Sequence, residues 1–589
     1  MVNSNSKYFS NNSFLMAISV LLLSLGSNAL QAQSLPADAK PTCTVPAATF
    51  STWFKAGVPS LNGEVNPANS LTFPDTPNCS FYQWSEQMFL WLNSPTPKTY
   101  GGGSGRIFNS PAFYDVSAPD INGDRTLVPH AANGFQVLNV RSSQVGPHNL
   151  PLVFDARGNT QEVIVSKIAE SGRSQIMNRA GQTVEIERIA TDQLGVATFF
   201  DPNGKIIDAD LAANVAMRLK TGPKLRLLDT LDQKAILLSF KNNIKGGIIF
   251  VNQSANVIQI EQGQAGGASV LMAQNGSLVY YATTVNDVYA YMVTGVKNGG
   301  ISPPPAHFPT TNAELAPIVT FAAAHGKTFP DPEALAVEVK SSWIETTGLD
   351  LSKYVMVNAT VPTYDTSNPG HWIPTGTKNT KLAMIGMHVV GSTKGHPEMI
   401  WATFEHFGVA SNAAYTYRNA ANVLTSVPQN TTGSWLVTAS GASGPFNVER
   451  QFYSAPDVLV TPPAASIGTS DTIRWKAFGA ASNVAPNPLV STADSNTQII
   501  AINNSVLGQL IAGDVRGNYY MTGATWTIGG AAPGGSNQVG TSRMANTTME
   551  TYQQGSNTTN VGGSNCFTCH TTNSTDVSHV FDAIKALFP

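Results

Sequence analysis

The sequence predicts a strand-dominated α+β fold, and three observations carry that expectation. Charged residues are only 12% of the 589-residue chain while hydrophobic residues are 42%, about half the charge usual for globular domains. Gly, Asn, Ser and Thr fill the difference, which suits a loop-rich, β-rich protein. From about 100 to 310, short β-branched runs alternate with Gly, Asn and Asp turns, the pattern of successive strands. A few longer stretches instead repeat their apolar residues at helical spacing.

The elements follow in order. "SFYQWSEQMFLWLNSP" (80–95) reads as an amphipathic helix, with Ser80 as cap, Phe81, Trp84, Met88 and Trp91 on one face, and Asn93-Ser94-Pro95 as its stop. "PLVFDA", "GQTVEIERI", "AILLSF" and "GGIIFVN" read as strands. "ANVAMR" (213–218) and "VNDVYAYMVTGVKNG" read as short helices among them. The Pro-rich "GISPPPAHFP" (300–309) is the clearest linker-like break. Two consecutive helices are expected beyond it, "TNAELAPIVTFAAAHG" and "DPEALAVEVKSSWIETT", the second opened by the Asp331-Pro332 cap. "MIGMHVVGS" and "PEMIWATFEHFG" read as strands, "TQIIAINNSVLGQLIAG" as a helix, and "DVSHVFDAIKALFP" as a short terminal helix. No internal repeat of fixed period occurs. The organisation expected is a signal peptide (1–32), a β-rich region with an early helix (33–300), a helical pair followed by a second β-rich region (301–560), and a C-terminal attachment segment with its terminal helix (561–589).

The N-terminus argues for export. "SFLMAISVLLLSLGSNALQAQ" has an uncharged apolar core from Phe14 to Leu25, too short to span a bilayer comfortably, and a cleavage site at Leu30-Gln31-Ala32 before Gln33. Lys7 is the only basic residue ahead of it, so an uncleaved anchor is the alternative. The net charge of −3 arises from 34 basic and 37 acidic residues spread along the chain, which gives no electrostatic case for nucleic acid or an anionic membrane.

Only four cysteines occur. Cys43 and Cys79 are expected to form a structural disulfide in an oxidising compartment, worth roughly 3–4 kcal/mol on the chain-entropy model. Two buried thiols are the alternative.

The other two lie in "GGSNCFTCHTTN" (562–573). Cys566, Cys569 and His570 stand at i, i+3 and i+4, one face of a helical turn. Two sulfurs so placed can form thioethers to a haem while the imidazole reaches the iron, and C-x-x-C-H is the sign of c-type haem attachment. With ten histidines in 589 residues, one follows a given cysteine by chance only about 2% of the time, so the motif is specific. A thioredoxin-like pair would want a βαβ setting, whereas the flanks here read as loops. Structural zinc needs two more close ligands, and the other cysteines are far away. A simple disulfide leaves His570 without a role. The motif is followed only by a short tail (571–589) without methionine, so the preceding chain must cover the haem.

For the other side of the iron, His579 is the sole downstream candidate; nine extended residues reach about 30 Å, although His579 also suits packing or capping of the terminal helix. Met544 and Met549 in "SRMANTTMETYQQ" are soft donors close upstream, and equally methionines of a core. His388, His396 and His406 fall within 386–408. Strand alternation there puts Trp401, Thr403 and Glu405 on one face and Ala402, Phe404 and His406 on the other, so Glu405 and His406 point apart. His406, His388 and Glu405 are the candidates for a distal ligand, proton donor or substrate contact, with His371 in "GHWIP" a weaker one. Ordinary packing of a central strand is the competing account.

Together "FYQWSEQMFLWL", "GMHVVG…GHPEMIWATFEH", "GDVRGNYYMTGATWTIGG" and "ANTTMETYQQ…NCFTCH" resemble a family of exported bacterial proteins that end in a single c-type haem motif, the cytochrome c family proteins. The resemblance covers most of the mature chain. It implies one covalent haem held by Cys566, Cys569 and His570, export, and a bacterial source, and it implies no reaction. The function expected is thus a periplasmic or secreted monohaem cytochrome that transfers electrons to a redox partner. The alternative is a haem-dependent redox enzyme acting on a small molecule by peroxide or oxygen chemistry, or by relaying electrons to a site in the large domain. A binding module with accessory haem is a third; the nine tryptophans are compatible with it but do not argue for it. No dinucleotide loop, second metal motif or nucleophile signature is present.

Overall fold

The computed structural model describes residues 34–74, 78–117, 124–131, 134, 136–138, 152–154, 160–162, 164–165, 174–191, 197–208, 250–251, 269–454, 458–461, 465–479, 491–533, 537–541, 543–552, 554, 566–570, 578, 580, 581 and 583–589. The expected signal segment (1–32), "AILLSF", "ANVAMR" and His579 lie outside them. Within them the chain is a mixed α+β protein built on one large antiparallel sheet, with strand somewhat exceeding helix.

The sheet has twelve strands among the described residues: β1 (Phe113–Val116), β2 (Leu127–Pro129), β3 (Gln136–Val137), β4 (Tyr280–Asn286), β5 (Val337–Glu345), β6 (Met356–Asp365), β7 (His371–Thr393), β8 (His396–His406), β9 (Phe452–Ser454), β10 (Val458–Val460), β11 (Tyr519–Thr527) and β12 (Gln538–Gly540). Its main path runs β2-β1-β4-β5-β7-β8-β11-β12, with β6 and β10 paired to the long β7. Only β3 against β6 is parallel. The sheet takes strands from both sides of the Pro-rich segment, because β4 pairs with β5.

Strand β5 corrects the sequence reading, which expected a second helix there. Asp331-Pro332 opens only a single 3-10 turn, Pro332–Ala334, and Leu335 then takes φ +61°. Beyond it Val337, Val339 and Trp343 alternate with Glu338, Lys340 and Ser342, a period of two that fits a strand between two buried faces. Asp331 makes no side-chain cap bond, its carboxylate accepting from the Tyr100 hydroxyl instead, and the pairing partners on both sides make the following residues a strand.

The expected helices at 80–95, 285–299, 311–326 and 497–513 are present as α2 (Asn78–Leu92), α3 (Asp287–Lys297), α4 (Asn312–Ala324) and α5 (Thr492–Leu507), after a short α1 (Ala47–Trp53). Helix α2 begins at Asn78, so Ser80 lies inside its first turn rather than at its cap. Phe81, Trp84, Met88 and Trp91 are buried as the spacing predicts. Cys43 and Cys79 form the expected disulfide, Cα–Cα 5.4 Å, which ties the N-terminal segment to the start of α2.

Helices α2 and α5 cover one face of the sheet. Phe89 stacks on Phe404 at 4.2 Å and Phe81 on Trp526 at 3.9 Å. Helices α3 and α4 pack on the other face with Val390, Met399 and Trp401. Asn286 caps α3 by accepting from the Tyr289 amide at 3.1 Å, and Thr311 and Glu314 form a capping box on α4. Of the terminal stretch expected as a short helix, residues 578, 580, 581 and 583–589 are described. Its described residues make turns, and Ile584 bridges Arg125 in parallel, with the Arg125 amide donating to Ala583 O at 2.8 Å. The Ile584 amide donates to Val580 O at 3.0 Å, one helical bond within the tail, and the Leu587 amide donates to Thr294 of α3 at 3.1 Å, which docks its end. No described helix is long and apolar enough to cross a membrane.

Candidate functional site

The C-terminal motif forms one helical turn, α6 (Cys566–Cys569), closed by the His570 amide donating to Cys566 O at 2.9 Å. That turn brings the first cysteine and the histidine to one face, as i and i+4 require. Phe567 is fully buried and meets the Trp401 indole edge-on at 6.1 Å. The His570 ring lies 4.2 Å from the same indole, centroid to centroid. Trp401 is fixed in turn by its Nε1–H, which donates to Glu398 O at 2.9 Å. Cys566 is half-buried against an apolar cluster that includes Val390, Met399, Trp401, Met544, Phe581 and Ile584.

The strands beneath this cluster carry a band of polar side chains. Register places Lys340 opposite His388 and His388 opposite Thr403, so all three share the face with Trp401. Residues 544–551 cross this band as an irregular segment. Asn546 Nδ2 donates to Thr403 Oγ1 and Phe404 O, both at 3.2 Å. Thr548 Oγ1 meets Ser342 Oγ at 2.7 Å, and Tyr281 donates its hydroxyl to Thr548 O at 2.6 Å. Gly386 makes room, since a Cβ there would stand 2.7 Å from the Asn546 amide. His388 Nε2 lies 2.9 Å from Glu550 Oε1, and Glu550 Oε2 accepts from the Asn546 amide at 2.8 Å. Burial works to raise the Glu550 carboxyl, but His388, Lys340 and that amide outweigh it and hold it below its ordinary value. Glu338, on the same face, is pushed up to about 8 by burial, against the opposing pull of Ser578, Lys340 and Arg125.

The sequence candidates separate over this frame. Glu405 is fully buried and ion-paired with Arg474; its Oε1 accepts from the Thr547 amide at 2.6 Å, so it anchors the 544–551 segment. Arg474 also donates to Tyr520 at 2.7 Å and to Thr547 Oγ1 at 2.9 Å. His406 points to the opposite face, stacked on Tyr354 at 4.2 Å, with Nδ1 accepting from the Gly408 amide. Burial lowers it to about 3, so it is neutral and apart from His570. His396 is buried against Glu398 at 2.9 Å and packs edge-on to Phe81 on the α2 side. His371 is exposed at the start of β7. Met544 joins the cluster of Cys566 and Phe567, whereas Met549 sits in a separate cluster with Tyr281 and Ile344. His388 alone among these histidines shares the face of His570. Sequence reasoning missed Arg474, Asn546, Thr547 and Glu550 as the fixings of this segment; only the low charge of the chain marks a buried Arg as unusual.

No family model, no curated protein and no solved structure matches the chain.

The residues present fit a covalently attached haem. A helical turn aligns the cysteine and histidine positions, apolar and aromatic side chains wall the turn, and a thioether donor lies in the same wall.

Proposed function

We propose that the chain is an exported bacterial c-type cytochrome carrying one haem on Cys566 and Cys569, with His570 as an iron ligand, and that its default role is electron transfer with a periplasmic or secreted redox partner. The observation that carries this reading is the packing of the motif: its turn seats Phe567 and the His570 ring against Trp401 on a sheet face built from distant parts of the chain. The large sheet, through Val390, Met399 and Trp401, supplies the wall on which the motif's turn rests and so serves as its scaffold. A bound haem supplies one-electron chemistry at iron. The chain holds the ring of His570 against Trp401 and packs apolar groups along the turn, with Phe567 fully buried.

A second reading, a haem-dependent redox enzyme, draws on the partly exposed His388–Glu550 pair, which register sets diagonal to Trp401. An acid–base pair so placed could exchange protons with a small-molecule substrate.

An optical spectrum of protein made in a strain competent in haem attachment tests both. Haem bands that survive acid–acetone extraction, and are lost in Cys569→Ala, support covalent haem; absence of the bands in wild type sinks the proposal. A low-spin spectrum indifferent to cyanide favours electron transfer, and a high-spin spectrum that shifts with cyanide favours the enzyme.

A further inference from the structure

We infer that the tail (578–589) is a clasp over the motif's turn that opens when Glu338 loses its proton. This concerns access to the turn on which the haem reading rests, but it is carried by the docking of the tail alone. It stands whether or not Cys566 and Cys569 hold a haem.

The tail is fixed mainly from outside itself. Among its described residues one helical bond is internal, from the Ile584 amide to Val580 O. Distant parts of the chain supply the further fixings. The Arg125 amide donates to Ala583 O at 2.8 Å, and the Lys585 amide donates to Arg125 O at 2.7 Å. The Lys297 ammonium donates to Ile584 O at 2.5 Å, and Phe588 stacks on His325 with centroids 4.4 Å apart. Between these points Val580, Phe581 and Ile584 are buried in the cluster that holds Phe567 and Trp401, with Cys566 packed against it. The docked tail thus closes one side of the wall on which the motif's turn rests. Released, it opens that side to solvent, and water replaces the backbone bonds it gives up.

The trigger lies under the first described residue of the tail. Ser578 Oγ is 2.5 Å from the Tyr289 hydroxyl, and Ser578 also hydrogen-bonds the Glu338 carboxyl. Glu338 is only 8% exposed, and its Oε2 has no hydrogen-bond partner among the described residues. A neutral carboxyl tolerates that arrangement far better than a carboxylate, whose buried oxygen forfeits hydration that nothing replaces. Val285 of β4 and Val390 of β7 stand directly opposite Glu338 and are apolar. Tyr289 of α3 and Ser578 bring only hydroxyls. His388, its diagonal neighbour on β7, is paired with Glu550. Lys340, two residues along β5, and Arg125 are the cations near it, and their pull falls short of burial, which raises the carboxyl to about 8. Lifting Ser578 away returns the carboxyl to water and toward its ordinary 4.5, so ionisation and release favour one another. Docking is therefore intact below that ordinary value and weakens by roughly tenfold per pH unit as pH climbs toward the docked one.

The test is backbone hydrogen exchange on the full chain from pH 5 to 9, expressed as protection factors so that the intrinsic pH dependence of exchange is removed. Wild-type peptides from 578–589 should lose roughly tenfold in protection per unit between pH 5 and 8, while those from α2 and β11 hold theirs. Glu338→Gln keeps the size and hydrogen bonding of a neutral carboxyl, and its tail should stay protected across the range. The same profile for the tail in both proteins, flat or falling, overturns the inference. So does a parallel loss of protection in α2 and the tail, which places the penalty on the whole fold. Should Glu338→Gln fold poorly, Glu338→Met removes the ionisable group with less polarity to bury, and a tail that still opens with pH in that variant overturns the inference equally. An optical spectrum of the same samples keeps the two readings apart, since absence of haem bands sinks the cytochrome and leaves the clasp to be judged by exchange.

Discussion

The two faces of the central sheet hold their cover by different means. Under α2 and α5 the strands present mainly apolar side chains, and the contact is ring on ring, as in Phe89 on Phe404 and Phe81 on Trp526. On the opposite face the same strands present Lys340, Ser342, His388, Thr403 and Glu405 to an irregular segment. The difference follows from what each cover needs. A helix satisfies its own backbone and asks the sheet only for packing, whereas an irregular segment brings unpaired amide and carbonyl groups that must find partners when buried. The α2 side has a polar fixture too, but it serves a helix end: Arg516, buried beside Asp514, donates to Leu90 O at 3.1 Å and Gly63 O at 2.9 Å. A strand whose middle carries buried polar residues is therefore holding something that is not a helix.

Breaking the strongest polar fixture gives the largest effect. Arg474→Ala leaves the Glu405 carboxylate fully buried without its partner, and the loss expected is about 3–5 kcal/mol. The loss should appear in the urea midpoint, together with protease cleavage near 544–551 at denaturant concentrations that leave α2 intact. The double variant Arg474→Met/Glu405→Leu removes the unpaired charge and should recover much of that loss while the segment stays susceptible. A midpoint unchanged in Arg474→Ala would mean that the ion pair does not anchor the segment.

The matching change on the other face is Phe89→Ala, which deletes a buried ring stacked on Phe404 and should cost about 3–5 kcal/mol. Here the segment should keep its protease resistance until the whole molecule unfolds. Selective release of 544–551 in this variant would erase the distinction between the faces.

A pH series sharpens the comparison. Burial raises the folded pKa of Glu338 from its ordinary 4.5 to about 8. A carboxyl raised in this way leaves stability intact below its ordinary value, and stability falls as pH climbs through the folded one. Wild type should thus lose stability between pH 5 and 9, and Glu338→Gln should flatten that slope, exceeding wild type at pH 9 by on the order of 5 kcal/mol. Parallel curves for the two proteins would show that Glu338 is ionised in the fold without penalty.

What the sequence reveals of this design is local. The four long helices α2, α3, α4 and α5 were legible because each repeats apolar residues over three turns or more or opens on a clear cap. The motif at Cys566–His570 was legible because its spacing is a property of one turn. Strand β5 was misread because Asp331-Pro332 has the residue types of a helix start, though Asp331 makes no cap bond, and the β4 and β7 pairings that force a strand are far off in the chain. The alternation of Trp401 with Ala402 could be read, but not that Trp401 meets His570, since the contact depends on where β8 stands in the sheet. For the same reason nothing in "ANTTME" separates Met544 from Met549, whose difference is the end of the polar band at which each lies.

The smallest expected effect is also the most direct probe of that band. His388 and Glu550 meet at 2.9 Å, each with about a fifth of its side chain exposed, and Glu550 passes the interaction to the chain by accepting from the Asn546 amide. A hydrogen bond to a charged group is worth roughly 1.5–3 kcal/mol when buried, and partial exposure reduces it, so His388→Asn should cost about 1 kcal/mol at pH 7. Because His388 is among the groups that hold the Glu550 carboxyl below its ordinary value, the stability it lends is present above that value and is lost as pH falls through the folded one. The gap between wild type and His388→Asn should accordingly close in acid. Hydrogen exchange adds the local reading: the Asn546 amide should lose protection in the variant while amides of α2 keep theirs. Equal protection at Asn546 in both proteins would show that Glu550 holds the segment without help from the strand, and that this part of the polar band positions nothing.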